Sequence, residues 1–129
     1  MYEPFYIKEG NNFVQILFHE ILYIETKDKY SRVITPTRKY LIRLPLNNVE
    51  RLLPSRSFCR INRSQIVSVL HTTLFNNAYA IVDGKKLLIG KQYKEVLLKR
   101  VVTFSNDPKS FIPLSDYDMF NLLRGTRSN

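Results

Sequence analysis

Cysteine is nearly absent from this chain of 129 residues: Cys59 stands alone. One thiol closes no intrachain disulfide and builds no cysteine-based zinc site, so a stapled secreted scaffold is excluded and a reducing, cytoplasmic setting is the expectation. Acidic residues are also few, 11 Asp and Glu against 20 Lys and Arg, which gives a formal net charge of +9. Long apolar runs are missing as well. The N-terminal MYEPFYIKEGNN meets Glu3 before any signal-peptide run can form. The least charged stretch, 64–82, holds Ser, Gln, His, Thr and Asn, whereas a spanning helix needs about 20 mostly apolar residues. It reads as core, and no membrane insertion is expected.

Catalytic signatures are absent too. No GxGxxG, GxSxG or HExxH occurs, and GKKLLIGK from Gly84 to Lys91 has Gln92 where a phosphate loop needs Ser or Thr. His19 and His71 have no cysteine or carboxylate at metal-ligand spacing, so both are read as satisfied core residues. Cys59 is read as a small core hydrophobe. The sequence therefore predicts no enzyme, no metal and no cofactor.

What is present suffices for a folded domain. Hydrophobic residues make up 44% and aromatics 12%, and a chain of this size hides roughly two-thirds of its unfolded surface. The basic excess lies wholly in residues 1–103; the remainder holds three Lys or Arg and three Asp or Glu. Ser105-Asn106-Asp107-Pro108 has turn chemistry, which sets an expected boundary near 104 between a basic domain, 1–103, and a C-terminal tail, 104–129. In the tail, Ser115 to Asp118 resembles a capping box, with Leu114, Met119, Leu122 and Leu123 on one face and Gly125 beyond. One short helix over 115–124 is expected. There is no internal repeat.

Within the basic domain the hydrophobic period is two. Val14, Ile16 and Phe18 alternate with neighbours, as do Tyr30, Arg32 and Ile34, and again Tyr40, Ile42 and Leu44. Pro36-Thr37-Arg38 reads as a turn, and Asp83-Gly84 as the tip of a hairpin between Tyr79–Val82 and Lys86–Ile89. Two stretches change to helical spacing. Pro45 suits a first helical position ahead of Leu46, Val49, Leu52 and Leu53, with Pro54 as the stop, and a second helix is expected from Lys91 through Val101. The class is mostly β with short helices.

Lysines and arginines collect at the predicted strand ends: Lys27, Lys29 and Arg32; Arg38 and Lys39; Arg60 and Arg63; Lys85 and Lys86; Lys91 and Lys94. Basic excess points to an acidic partner, nucleic acid or an anionic membrane surface. Several cations flank Tyr30, Ser31, Asn62, Ser64 or Gln92, and that mixture favours nucleic acid. Phosphates take cations and hydroxyls, while base edges need forked donors such as Arg, Asn and Gln. Arg63 poses a question. Strict alternation puts Phe58, Arg60 and Asn62 on one side and Cys59, Ile61 and Arg63 on the core side, where a lone guanidinium is costly. Either the strand ends near Ile61 and Arg63 emerges in a loop as a contact, the preferred expectation, or it pairs with a carboxylate such as Glu25 as a strut.

Five pieces in order carry a resemblance: Ile21 to Glu25, Tyr30 to Ile34, Leu46 to Pro54, Phe58 to Val67, and Leu88 to Tyr93. Together, over about residues 5–102, they resemble the LytTR domain, the DNA-binding domain of LytR/AgrA-type bacterial response regulators. The resemblance implies an elongated arrangement of small antiparallel β-sheets and DNA contact through loops rather than a recognition helix. By position it implies a first contact loop from Lys29 to Arg32, with Ser31 and Arg32 as contacts, a second region at Asn62 and Arg63, and a third at Lys91 and Gln92; the charge grouping adds Lys27 and Lys29 to the expected DNA-binding residues. Members commonly have His at the place of Asn62, Asn at Ser68 and Ser at Gly90, so their base preference does not transfer. The implied partner is double-stranded DNA, bound by two copies at repeated sites, with a receiver domain or sensor as a further partner. The alternative is a protein-interaction module that assembles through apolar Phe111, Ile112, Leu114, Tyr117 and Phe120 of the tail. Single-stranded RNA binding ranks lowest, because the aromatics mostly hold core-like positions.

Overall fold

The computed structural model describes residues 4–107. The helix expected over 115–124 lies outside them. The chain divides into two units, Met1–Lys94 and Glu95–Asn129. Ten strands and two short α-helices are found among the described residues.

The first unit is built on a five-stranded antiparallel sheet of order β5-β4-β3-β7-β6. Its strands are β3 (Tyr23–Lys27), β4 (Tyr30–Ile34), β5 (Lys39–Ile42), β6 (Phe58–Asn62) and β7 (Gln65–Ser68). Because side chains alternate across a strand, the register sorts them into two faces. Ile24 lies opposite both Val33 and Ile66, and Val33 lies opposite Tyr40. These four form one core with Ile7 of β1 (Phe5–Glu9), Ile16 of β2 (Asn12–Ile16), Ile21, and Leu46 and Val49 of α1 (Leu46–Leu52). Burial of each such side chain contributes about 1.5–3 kcal/mol before entropy is counted. On the other face Tyr23, Ile34, Val67 and Cys59 are buried. There the three-stranded sheet β8 (Thr72–Phe75), β9 (Tyr79–Val82) and β10 (Lys85–Leu88) meets the larger one, with Lys85 reaching Tyr23 and Asn62 reaching the Leu88 carbonyl.

Local chemistry sets the ends of these elements. Asp83 and Gly84 both take positive φ, 51° and 75°, as a tight β9–β10 turn requires. The Thr35 hydroxyl donates to the Arg38 carbonyl and accepts from the Arg38 N–H, closing the Pro36–Arg38 turn. Pro45 is the residue before the helix rather than its first member, and its carbonyl accepts from Val49. The alternation that includes Phe18 ends earlier, at Ile16. Glu20 accepts a hydrogen bond from the Leu17 N–H at 2.8 Å and turns Phe18–Glu20 into one turn of 3-10 helix.

Three expectations need correction. The 64–82 stretch is core only in part, since Leu70 and Leu74 are exposed while Val67, Ala80 and Val82 are not. Neither histidine is a core residue. His19 is exposed and His71 half-buried, and the His71 ring donates to the His19 carbonyl, 2.6 Å away. Lastly, the helix expected from Lys91 is two pieces. Lys91–Tyr93 forms a 3-10 turn, and α2 (Val96–Arg100) starts only after Glu95, whose φ of −101° and ψ of 1° interrupt the helical path.

Candidate nucleic-acid interface

Three bends meet at one end of the five-stranded sheet. The first is the β3–β4 turn, where Asp28 takes a left-handed φ of 57° and Lys27 and Lys29 are exposed. The second is the β6–β7 turn with Arg63. Because β3 and β7 are neighbours, the Thr26 N–H donates to the Ser64 carbonyl at 2.9 Å and binds the two bends side by side. The third follows β10. The Gly90 N–H donates to the Ile61 carbonyl at 2.7 Å, which delivers Lys91 and Gln92 beside the end of β6. Arg63, Lys91 and Gln92 share an open cleft of about 900 Å³. A smaller one, about 380 Å³, joins Thr26 to Arg63 and Tyr93.

A β-bulge resolves the question raised by Arg63. Arg60 pairs with Ile66, but the next partner of β7, Gln65, faces Asn62. The extra residue, Ile61, moves Asn62 to the face opposite Arg60 and lets Arg63 fall in the turn. Arg63 is exposed, and its guanidinium has no partner among the described residues. The strut is Arg60. Its Nε donates to the Asn62 carbonyl, Nη1 to Asn47 and Glu50, and Nη2 to the Arg63 carbonyl, so α1 braces the second bend. Glu25, the carboxylate considered for Arg63, is held by Arg32 instead.

The remaining predicted residues divide by environment. Ser31 is a correction: it is fully buried, and its hydroxyl donates to the Leu44 carbonyl at 2.8 Å, so this side chain holds the segment between β5 and α1 and does not reach solvent. Asn62 is an organiser. Its Nδ2 donates to Gln65 at 2.9 Å and to the Leu88 carbonyl at 2.7 Å, and its Oδ1 accepts from the Ser64 N–H at 2.7 Å. Both amide donors are engaged within the protein, which ties the second bend to the third. Arg32 sits on the same sheet face, partly exposed, with Nε and Nη2 on Glu25. Arg38 and Lys39 lie at the far end of the sheet, where Arg38 pairs with Glu9 at 2.6 Å and stacks on Tyr40 at 4.0 Å.

Two further cations, the first of them beside the β3–β4 bend, were not among the predicted contacts. Arg43, absent from the basic groups, is exposed and lies 5.2 Å from the Tyr30 ring, which Lys29 approaches from 5.7 Å. Only the β4–β5 register, Ser31 opposite Ile42, brings Arg43 beside Tyr30. Lys85 donates to the Tyr23 hydroxyl at 3.0 Å. That bond raises its pKa above the ordinary lysine value, and the Glu25 carboxylate adds to the effect while Arg32 opposes it. Gly90 packs where a side chain would crowd the site: a Cβ there would stand 3.1 Å from the Tyr93 ring.

Another cleft, about 640 Å³ between β1, β5 and α1, is mostly apolar and presents no converging set of functional groups. Among the described residues no three His, Cys, Asp or Glu side chains cluster as metal ligands, and no helix is long and apolar enough to cross a membrane.

The class the structure defines is a β-rich domain of small antiparallel sheets with cations at adjoining strand ends. The chain belongs to the LytTr DNA-binding domain family, which it matches over residues 11–102. It is 28% identical over 96 residues to the sensory transduction protein LytT of Bacillus subtilis, covering 70% of this chain and 40% of that one. The chain thus spans about two-fifths of that curated relative. The LytTr DNA-binding domain of a methyl-accepting/DNA response regulator from Bacillus cereus superposes with a TM-score of 0.61 at 26% identity, over 70% of this chain and 88% of that one. Small antiparallel sheets with short helices are thus the family's fold.

Proposed function

We propose that residues 1–103 form a sequence-specific double-stranded DNA-binding domain of a bacterial transcriptional regulator, acting in the cytoplasm and occupying repeated sites as two copies. The contacts are Lys27 and Lys29 from the first bend, Arg63 from the second, Lys91 and Gln92 from the third, and Arg32 from the sheet face between them. Arg43 extends the track past Tyr30. Asn62 acts chiefly by fixing the second bend against the third, with one lone pair of its Oδ1 left for a ligand. Ser31 is not included.

The observation that carries this reading is the pair of backbone bonds, Thr26 to Ser64 and Gly90 to Ile61, that set three cation-bearing bends at one sheet end. One duplex can then touch all three. Exposed lysines supply sequence-independent phosphate attraction, whereas Arg63, whose guanidinium has no partner among the described residues, has the forked donors that base edges require. A receiver domain or sensor would supply the controlling signal, in keeping with the sensory transduction protein to which the chain is similar.

Selection of bound fragments from a random duplex pool, followed by affinity measurement across salt concentrations, tests the reading. Four to six neutralised phosphates give a slope of log K against log salt of about −4 to −5. A flat response, or a pool that returns no shared sequence, would rule it out.

A further inference from the structure

We propose that Glu25 is a positioning residue for DNA recognition: by holding one edge of the Arg32 guanidinium it aims the other edge at the duplex, so an acid within a cation-rich surface supports selective binding. The inference rests on the DNA-binding reading above and deepens it.

The geometry is specific. Arg32 and Glu25 lie directly opposite on β4 and β3, and Gln65 lies opposite Glu25 on β7. All three therefore project from the same face. Arg32 Nε and Nη2 both donate to Glu25 Oε2, at 2.9 and 2.5 Å. A guanidinium has five N–H groups in a rigid plane. Two are used along its side edge, and three remain, including the Nη1–Nη2 fork at its end. That fork matches guanine O6 and N7 or two phosphate oxygens. The Arg32 side chain is 31% exposed and Glu25 18%, so the pair is shielded enough to hold its geometry yet open to a ligand. Gln65 accepts from Asn62, which continues the polar row to the second and third bends.

The sign of the effect separates this role from the alternatives. An acid that merely stands near DNA repels phosphate, and removing it strengthens binding to every duplex. An acid that competes with DNA for Arg32 acts in the same direction. A positioning acid does the opposite for the preferred sequence alone, because a freed arginine must be ordered on binding.

The test uses the full chain, the duplex selected by the wild type, and a scrambled duplex of equal length, with dissociation constants from fluorescence anisotropy. Glu25→Gln is expected to weaken the selected duplex about tenfold and to tighten the scrambled one by about twofold. A repeated selection should lose preference at one base pair. In the Arg32→Ala background, Glu25→Gln should no longer weaken the selected duplex. Equal tightening for both duplexes would overturn the proposal. Should Glu25→Gln fail to fold, Glu25→Asp decides, since it keeps the charge but shortens the reach: lost selectivity without tighter scrambled binding supports the role, and unchanged selectivity refutes it. A wild type that prefers no duplex removes the DNA-binding reading and this inference together, whereas a selective wild type with an equally selective Glu25 variant removes the inference alone.

Discussion

Arg63 and Lys29 are both exposed cations at one end of a sheet, but their chemistry differs, and so do the expected consequences of removing them. Arg63→Ala should cost about 1–3 kcal/mol of binding and relax preference at one position of the selected site, as read by competition between single-base variants. Lys29→Ala should weaken all duplexes alike and lower the salt slope by about one. For Ser31→Ala the expectation is structural. The Leu44 carbonyl loses its donor, denaturant unfolding shows a loss of about 1 kcal/mol, and DNA affinity of the folded protein stays the same. Arg60→Ala releases four hydrogen bonds that join α1 to the second bend. Glu50 is largely solvated, so most of the loss comes from the bonds to Asn47 and the two carbonyls, about 1–3 kcal/mol in the same measurement. Residue types were legible in the sequence: the cations and amides around the bends could be named from it. Their environments were not, because whether a serine or asparagine is free depends on partners 13 or 26 positions away.

At the scale of elements, period two marked the strands and the Asp83-Gly84 tip marked the β9–β10 hairpin, since both signals are local and reflect the pleat itself. α1 was equally plain from its spacing and its flanking prolines. It also matters energetically: Leu46 is 3% exposed within the main core, and Leu46→Ala should lower stability by about 2–4 kcal/mol in chemical denaturation. What local pattern missed was the bulge at Ile61 and the division of the helix after Lys91. A bulge exists only with respect to a partner strand, here β7, and no count along β6 alone reveals where the register shifts. The consequence is large for so small an irregularity. It sends Asn62 to the face opposite Arg60, so Arg60 braces the second bend from α1 while Asn62 links two bends on the other face.

For the whole molecule the decisive property is that elements distant in sequence deliver charge to one place. Duplex carrying a repeated site should bind two chains and duplex carrying half of it one, as measured by sedimentation at fixed salt; a single chain on the full site would argue against paired occupancy. The sequence by itself determined the charge excess, the β-rich class, the absence of a disulfide framework and the family resemblance, because composition and short-range periodicity record which residues must be buried and which solvated. Only the tertiary structure decided which cations serve the surface and which serve the fold. Strand order and register are long-range facts: β3 beside β7 joins the first two bends, and the Gly90 to Ile61 bond adds the third. They also give Glu25 to Arg32 rather than to Arg63, a pairing set by which residues face each other across neighbouring strands and not by their distance along the chain.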